Sequence, residues 1–316
     1  MKRNDLFDKF HLFQGHICSA KEKSPVFSES RDHQTSASTS KPLLFIPLLL
    51  EHPQAEMQYY VYPGGCELSN LLIDAYEVTN NSPKDLYYPV LPTPCICLYF
   101  KFNNSSAYST LCGVTTSLAS LYIPSNFTVF CVRFRPGVAD FFTKTPAKKL
   151  TDSTFPLNVF LPSASTLHRE IQRCESFAQR NLRIQEYLVS LPFSSQYESH
   201  ALLNRGMDMI HQHCGMLRVS DVAAALACSE RYLCRMFHSW VGISKKQNCE
   251  MIQMQFSLQE ILVKRPKTLA KTAVSYGYFD QPHMNRVYQK FLGRTASDMR
   301  FFDNNACHTN NVSAIL

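Results

Sequence analysis

Two patterns of apolar positions divide the chain into a β-like part and a helical part. From about residue 42 to 165, short apolar runs are separated by Pro, Gly and Asn, as in YYVYPGG, LLIDAYEV, CICLYFKF, SLYIP and FTVFCVRFRPG. Such runs are typical of strands that end at turns. Both alternating faces of FTVFCVRF are apolar, which predicts a strand covered on both sides, in a closed barrel or a sandwich.

The chain after residue 164 follows helical spacing. Residues 164–190 lack Gly and Pro and repeat apolar residues every three or four positions, which predicts one or two helices. The polar run SSQYES then indicates a domain boundary. We therefore expect an α+β protein, with a β-rich domain and its helices at 42–195 and an all-α domain at 199–302. The tails 1–41 and 303–316 are expected to be disordered, because residues 19–41 are rich in Ser, Thr, Lys and Glu.

The helical part contains one sequence pattern twice. CSERYLCRMFHSWVG at 228–242 aligns with FDQPHMNRVYQKFLG at 279–293. In each copy a short helix is followed by a tight turn, an N-cap residue and a longer helix that ends at Gly. The predicted short helices are 219–226 and 269–276. This arrangement is a helix-turn-helix unit, and it is present twice.

The second helix of such a unit enters the major groove with its N-terminal residues against base edges. We predict recognition helices at about 230–241 and 281–292, inserted in successive major grooves. The candidates for DNA contact are Ser229, Arg231, Cys234, Arg235, His238, Gln281, Asn285 and Arg286. Arg can pair with guanine, and Asn or Gln with adenine. The alternative is a helical bundle whose polar face is only solvated.

The segment between the two copies is predicted to be a rigid spacer. Residues 245–263 lack Gly and Pro and indicate one helix about 28 Å long. Successive turns of the major groove are about 34 Å apart. A helix of this length could therefore place the two recognition helices in adjacent grooves, although it also fits an ordinary core helix.

The charge distribution favours a polyanionic partner for the helical part. Residues 200–302 hold 14 of the 32 Lys and Arg residues but only 7 of the 25 Asp and Glu residues, so they carry the whole net charge of +7. A basic segment beside a neutral one indicates nucleic-acid binding. No apolar run reaches the length of a membrane span, and no secretory signal is evident. We therefore expect a cytoplasmic protein whose 12 cysteines are reduced.

The repeated units resemble a known family. Residues 200–302, and GYFDQPHMNRVYQKFLGRTASDMR above all, are similar to the AraC/XylS family of bacterial transcriptional regulators. The resemblance implies sequence-specific binding to a double-stranded DNA operator through both recognition helices, with RNA polymerase as a further partner.

The N-terminal part is similar to a β-rich domain of unknown function in some family members. VRFRPGVADFF at 132–142 and LTDSTFPLN at 150–158 carry this resemblance, which covers about 42–190. Sensory domains of the family are commonly cupin-like and often bind small effectors. The resemblance therefore implies a β-domain that senses an effector or dimerises, and it leaves the effector and the homodimer open.

No catalytic or metal-binding set is evident in the sequence. A metal-binding cupin needs clustered His and carboxylates, and the β-like part contains one histidine, His52. His211, His213 and Cys214 fall at the end of a predicted helix, where ordinary polar residues are the simpler interpretation. We expect no cofactor, no metal and no enzymatic activity.

Two further pairs allow more than one interpretation. Cys95 and Cys97 lie on one strand face, where they could sense redox changes or act as buried structural thiols. Arg133 and Arg135 could anchor an anionic ligand or hold a turn through carbonyl groups. The alternative to a DNA-binding regulator is therefore a small-molecule or redox-sensing module whose helical domain mediates protein contacts.

Overall fold

The computed structural model describes residues 54–63, 68–141, 143, 145–191 and 201–300, and the backbone of two short strands at 18–19 and 313–315. Apart from those strands, the expected disordered tails lie outside the described residues, and so does the predicted boundary run SSQYES. The described chain is β-rich in its N-terminal part and helical in its C-terminal part, which confirms the α+β class.

In the described part of the chain, ten strands form two sheets. Their bounds are β1 (Cys18–Ser19), β2 (Glu56–Val61), β3 (Leu72–Thr79), β4 (Leu86–Val90), β5 (Cys97–Phe102), β6 (Ala107–Cys112), β7 (Ala119–Ile123), β8 (Thr128–Phe134), β9 (Thr154–Pro156) and β10 (Ser313–Ile315). The larger sheet has the order β1-β2-β3-β8-β5-β6-β9, and the smaller sheet has the order β10-β7-β4. All pairings are antiparallel except that of β10 with β7.

The two sheets pack face to face around a buried apolar layer. Tyr76 and Cys131 of the larger sheet share this layer with Tyr88 and Leu121 of the smaller one. Neither sheet closes on itself, so the closed barrel is wrong and the sandwich alternative is confirmed. The central strand β8 is buried on both faces, as its two apolar faces predict, because helices cover the other side of the larger sheet.

The described residues of the β-rich part include three α-helices: α1 (Ala147–Leu150), α2 (Ala164–Arg173) and α3 (Phe177–Ser190). Two short 3₁₀ turns accompany them at Val138–Phe141 and Leu157–Val159. The predicted helical segment 164–190 is thus two helices, although no Gly or Pro separates them. Ser176 breaks it, because its backbone is extended and its side chain accepts a hydrogen bond from the N–H of Gln179.

Seven α-helices and one π-helical turn form the C-terminal part between residues 201 and 300. They are α4 (Ala201–Gln212), α5 (Val219–Ala225), α6 (Glu230–Met236), the π turn (Phe237–Val241), α7 (Lys245–Lys264), α8 (Ala270–Ser275), α9 (Gln281–Leu292) and α10 (Ala296–Met299). Their common core also takes in Leu91, Val114 and Leu118 of the β-rich part. The two parts therefore share buried contacts, and the expected domain division stays a prediction.

Buried ion pairs hold the β-rich part and fix both arginines of VRFRPG. The guanidinium of Arg133 donates to both carboxylate oxygens of Asp74, with Nε to Oδ1 at 2.7 Å, between neighbouring strands. Arg135 donates to the Ser69 carbonyl at 3.3 Å and pairs with Asp208 of α4. These arginines thus bond within the protein, since a buried guanidinium needs a partner for its charge.

Candidate nucleic-acid interface

The first helix-turn-helix unit consists of α5 and α6. Ser229 caps α6, and its hydroxyl accepts a hydrogen bond from the N–H of Tyr232 at 3.2 Å. Leu233 and Met236 face the core, whereas Arg231 and Arg235 are exposed on the opposite side. A cap of this kind satisfies N–H groups at the helix start and fixes the residue at which α6 begins. It therefore also fixes the side of the helix on which the cationic side chains lie.

The predicted recognition helix 230–241 contains a change in helical type. The α-helical part ends at Met236, and one π turn continues it to Val241. Gly242 then ends the element with φ +88°, which favours glycine. His238 is exposed within the π turn, and Cys234 is half-buried.

The second unit consists of α8 and α9 and repeats this design. The carboxylate of Asp280 caps α9 and accepts a hydrogen bond from the N–H of His283 at 2.6 Å. Pro282 lies in the first turn, where its missing N–H is harmless. Gly293 ends the helix with φ +64°. The recognition helix therefore spans the residues that the sequence predicts, 281–292.

The predicted base readers of the second helix differ in their surroundings. Arg286 is exposed, Gln281 is half-buried, and Asn285 is half-buried. The side-chain oxygen of Asn285 accepts a hydrogen bond from the N–H of Ala296 at 3.2 Å. A two-bond pair with adenine uses both the oxygen and the nitrogen of Asn, so the Asn285 oxygen would have to accept from adenine and from Ala296 at the same time, one bond on each lone pair.

This face also contains two aromatic residues, Tyr232 and Phe279, that were not predicted from the sequence. Tyr232 is partly exposed, and the guanidinium carbon of Arg235 lies 5.4 Å from its ring centroid. Their spacing of three residues on one helix is a signal that could have revealed the pair, because such residues are neighbours on a helix surface. Phe279, directly before the cap Asp280, is also exposed.

The connecting helix α7 carries the second unit. Its 20 residues exceed the predicted 245–263 by one and give a length of about 30 Å. The hydroxyl of Ser257 on α7 lies 2.8 Å from that of Tyr288 on α9, and Lys290 donates to the carboxylate of Glu250 at 2.6 Å. The spacer is therefore also a core helix, because ten of its 20 residues are buried.

The β-rich part contacts the far ends of both recognition helices. The N–H of Leu118 donates to the carbonyl of Phe291 in the last turn of α9, at 2.7 Å. The hydroxyl of Thr151 donates to the carbonyl of Gly242, just after the π turn, at 3.4 Å. These contacts leave the N-terminal ends of the recognition helices, where base reading is expected, at the surface.

Among the described residues, the space between the two sheets is small, and the thiols of Cys95 and Cys112 are buried. The cavity between the sheets, lined by Tyr76, Tyr99 and Arg133 among others, has a volume of about 10 Å³. This is near the minimum for one water molecule. Burial raises the pKa of the Cys95 and Cys112 thiols to about 12, which disfavours the reactive thiolate and therefore a redox-sensing role.

The described part of the chain shows neither a metal-binding cluster nor a membrane-spanning helix. Within it, no three His, Cys, Asp or Glu side chains are placed to hold a metal ion. None of its helices combines the length and apolarity that crossing a bilayer requires.

The fold and the exposed face define a protein with two helix-turn-helix units behind a β-sandwich. Residues 222–300 match the family model described as a helix-turn-helix domain, and residues 62–156 match the model described as a domain of unknown function, DUF6597. The chain thus carries a helix-turn-helix domain of the AraC type, together with an N-terminal domain of a family without an assigned function.

Individual proteins show the same likeness over parts of the chain. The Msm operon regulatory protein of Streptococcus mutans is 27% identical over 119 residues, which cover 37% of this chain and 42% of that protein. The chain therefore spans less than half the length of this relative. Among solved structures, the C-terminal domain of AraT, a response regulator from Geobacillus stearothermophilus, is 22% identical, with a TM-score of 0.31, and covers 35% of this chain and 95% of that one.

Fatty-acid-bound ToxT from Vibrio cholerae is 8% identical with a TM-score of 0.38, and the match covers 83% of this chain and all of that one.

Proposed function

We propose that the protein is a sequence-specific DNA-binding transcription regulator whose helices α6 and α9 enter successive major grooves. The burial pattern carries this proposal. In both helices an apolar stripe faces the core, while an N-cap and exposed polar or cationic residues form the free end. A helical bundle whose polar face is only solvated would not require the same N-cap, apolar stripe and terminal glycine in two separate units.

The dimensions and charges of the helical part support the same function. The length of α7, about 30 Å, is close to the 34 Å between successive turns of the major groove. Exposed cations such as Lys267 and Lys271 are suited to phosphate contacts, which supply much of the affinity and make it fall as salt rises. The match to a protein named as an operon regulator agrees with this role.

The experiment is a selection of bound sequences from a pool of random DNA duplexes. The full chain should enrich a motif with two half-sites about one helical turn apart. Failure to enrich any sequence at moderate salt would overturn the proposal.

A matched pair of variants then separates base reading from phosphate binding. Arg286→Ala should weaken binding to the selected duplex by about 1–3 kcal/mol and relax the preference at one base pair. Lys267→Ala should weaken binding to selected and random duplexes alike, and it should reduce the slope of log K against log salt by about one unit. Equal losses of Arg286→Ala on both duplexes would contradict a base-reading role for this residue.

Further partners belong to the proposal as well. A regulator of transcription is expected to meet RNA polymerase, and a small effector or a second copy would act through the β-rich part. The 10 Å³ cavity implies that an effector could bind between the sheets only if they moved apart. Chemical-shift or melting-temperature changes on ligand screening would detect such an effector.

A further inference from the structure

Phe279 is exposed to a degree that its position does not explain. Its side chain is 88% exposed, more than any other large apolar side chain among the described residues. Burying a phenylalanine is worth about 1.5–3 kcal/mol, and the fold leaves that gain unused here.

The local structure holds the Phe279 ring outward. An apolar residue before an N-cap often packs on the fourth helical residue, which is Met284 in α9. Met284 is fully buried, however, and the preceding Tyr278 is the ring that turns inward, with its centroid 5.6 Å from that of His283. The N–H of Phe279 donates to Nδ1 of His283 at 3.2 Å, which fixes the backbone at this point.

The place of Phe279 in the second helix-turn-helix unit fits contact with a DNA base rather than with an apolar partner surface. It directly precedes the N-terminus of α9, the end that meets base edges in a helix-turn-helix unit. Arg286 on the same helix and Lys271 on α8 are exposed cations, which suit a polyanion. The apolar group that a major groove presents is the C5-methyl group of thymine, and phenylalanine is one of the side chains that contact it.

We propose that Phe279 is a specificity-determining residue that packs on the C5-methyl group of one thymine in the half-site bound by α9. This inference rests on the proposed DNA-binding function. It adds an apolar contact to the polar readers Gln281 and Arg286.

The test replaces thymines in the selected duplex one at a time by deoxyuridine, which lacks only the methyl group. Dissociation constants are measured for the wild-type chain, for Phe279→Ala and for the control Val263→Ala. Val263 is 68% exposed but lies at the C-terminal end of α7. Thermal melting shows that each variant is folded, which is expected because both side chains are at the surface.

For the wild type and for Val263→Ala, one thymine-to-deoxyuridine change should weaken binding about fourfold, the value of one buried methyl group. The same change should have no effect on Phe279→Ala, which should bind the unmodified duplex more weakly by at least that factor. The inference is overturned if the deoxyuridine effect persists in Phe279→Ala, or if Phe279→Ala binds as the wild type does.

A uniform loss by Phe279→Ala without thymine dependence would also overturn the inference, since it would indicate packing on the sugar-phosphate backbone or another partner. If no duplex is enriched in the selection, both the proposed function and this inference fall. If a duplex is enriched but thymine readout is absent, only this inference falls.

Discussion

Acidification should weaken the packing of α4 against the β-rich part through His211. This residue is buried, with 6% of its surface exposed. Burial lowers the pKa of His211 well below its usual value of 6.5, and the nearby charge of Arg135 lowers it further. Below pH 6.5 the unfolded chain therefore binds a proton at this position that the folded chain excludes. The free energy of unfolding should fall as the pH falls below 6.5.

The size of the effect follows from this linkage. A difference of one pKa unit corresponds to about 1.4 kcal/mol, so the loss between pH 7 and pH 5.5 should be about 1 kcal/mol. Asp208, which pairs with Arg135, acts in the opposite direction. Burial raises the pKa of Asp208, so the folded chain takes up that proton before the unfolded chain does. The wild type and His211→Leu both keep Asp208, so the difference between them reports on His211.

Urea unfolding at pH 7 and pH 5.5 can measure this difference, with fluorescence of Trp240, the single tryptophan, as the signal. In His211→Leu, the difference between the free energies of unfolding at pH 7 and pH 5.5 should be smaller than in the wild type by about 1 kcal/mol. His238→Leu is the control, because it deletes an exposed histidine and should leave the difference in place. If the wild type and His211→Leu lose the same stability between the two pH values, the reasoning is refuted.

Three other changes test the fold and the interface. Asp74→Ala should lower the free energy of unfolding by about 3–5 kcal/mol, whereas Asp74→Leu combined with Arg133→Met should recover most of it in urea titrations; equal losses would contradict this. Gly242→Ala should lower the melting temperature more than Gly293→Ala. Both glycines have positive φ, so both substitutions strain the backbone, but an added Cβ at Gly242 also meets the Ala147 carbonyl oxygen at 2.7 Å, whereas one at Gly293 meets nothing within 4 Å. Asp280→Ala should lower the free energy of unfolding by about 1 kcal/mol and weaken DNA binding, whereas Asp280→Asn should keep the stability and the affinity of the wild type. An Asp280→Asn variant as impaired as Asp280→Ala would contradict the capping role.

The helices of the candidate interface could be predicted well because their signals are local. Apolar spacing, an N-cap and a terminal glycine lie within one element, so the bounds of α9 agree with the sequence prediction and those of α7 agree within one residue. The π turn at Phe237–Val241 was not predictable in this way. Its buried residues, Phe237 and Val241, suit either helical type.

Contacts between distant residues could not be predicted from these patterns. The side chain of Gln255 donates to the carbonyl of Pro92, which is 163 residues away, and Arg135 pairs with Asp208 across 73 residues. Periodicity predicts which face of an element is buried but not which element covers it. For the same reason, the sequence left a closed barrel and a sandwich equally open.

The contacts of the β-rich part constrain how the two recognition helices can sit on DNA. Leu118 bonds to the end of α9, and Thr151 bonds to the end of the first recognition helix. At Gly242 an added Cβ would lie 2.7 Å from the Ala147 carbonyl oxygen, so the backbones of the two parts are closely packed there. The separation of the recognition helices therefore depends on the β-rich part as well as on α7. A duplex that requires a different separation is therefore expected to bind only if one of these contacts breaks.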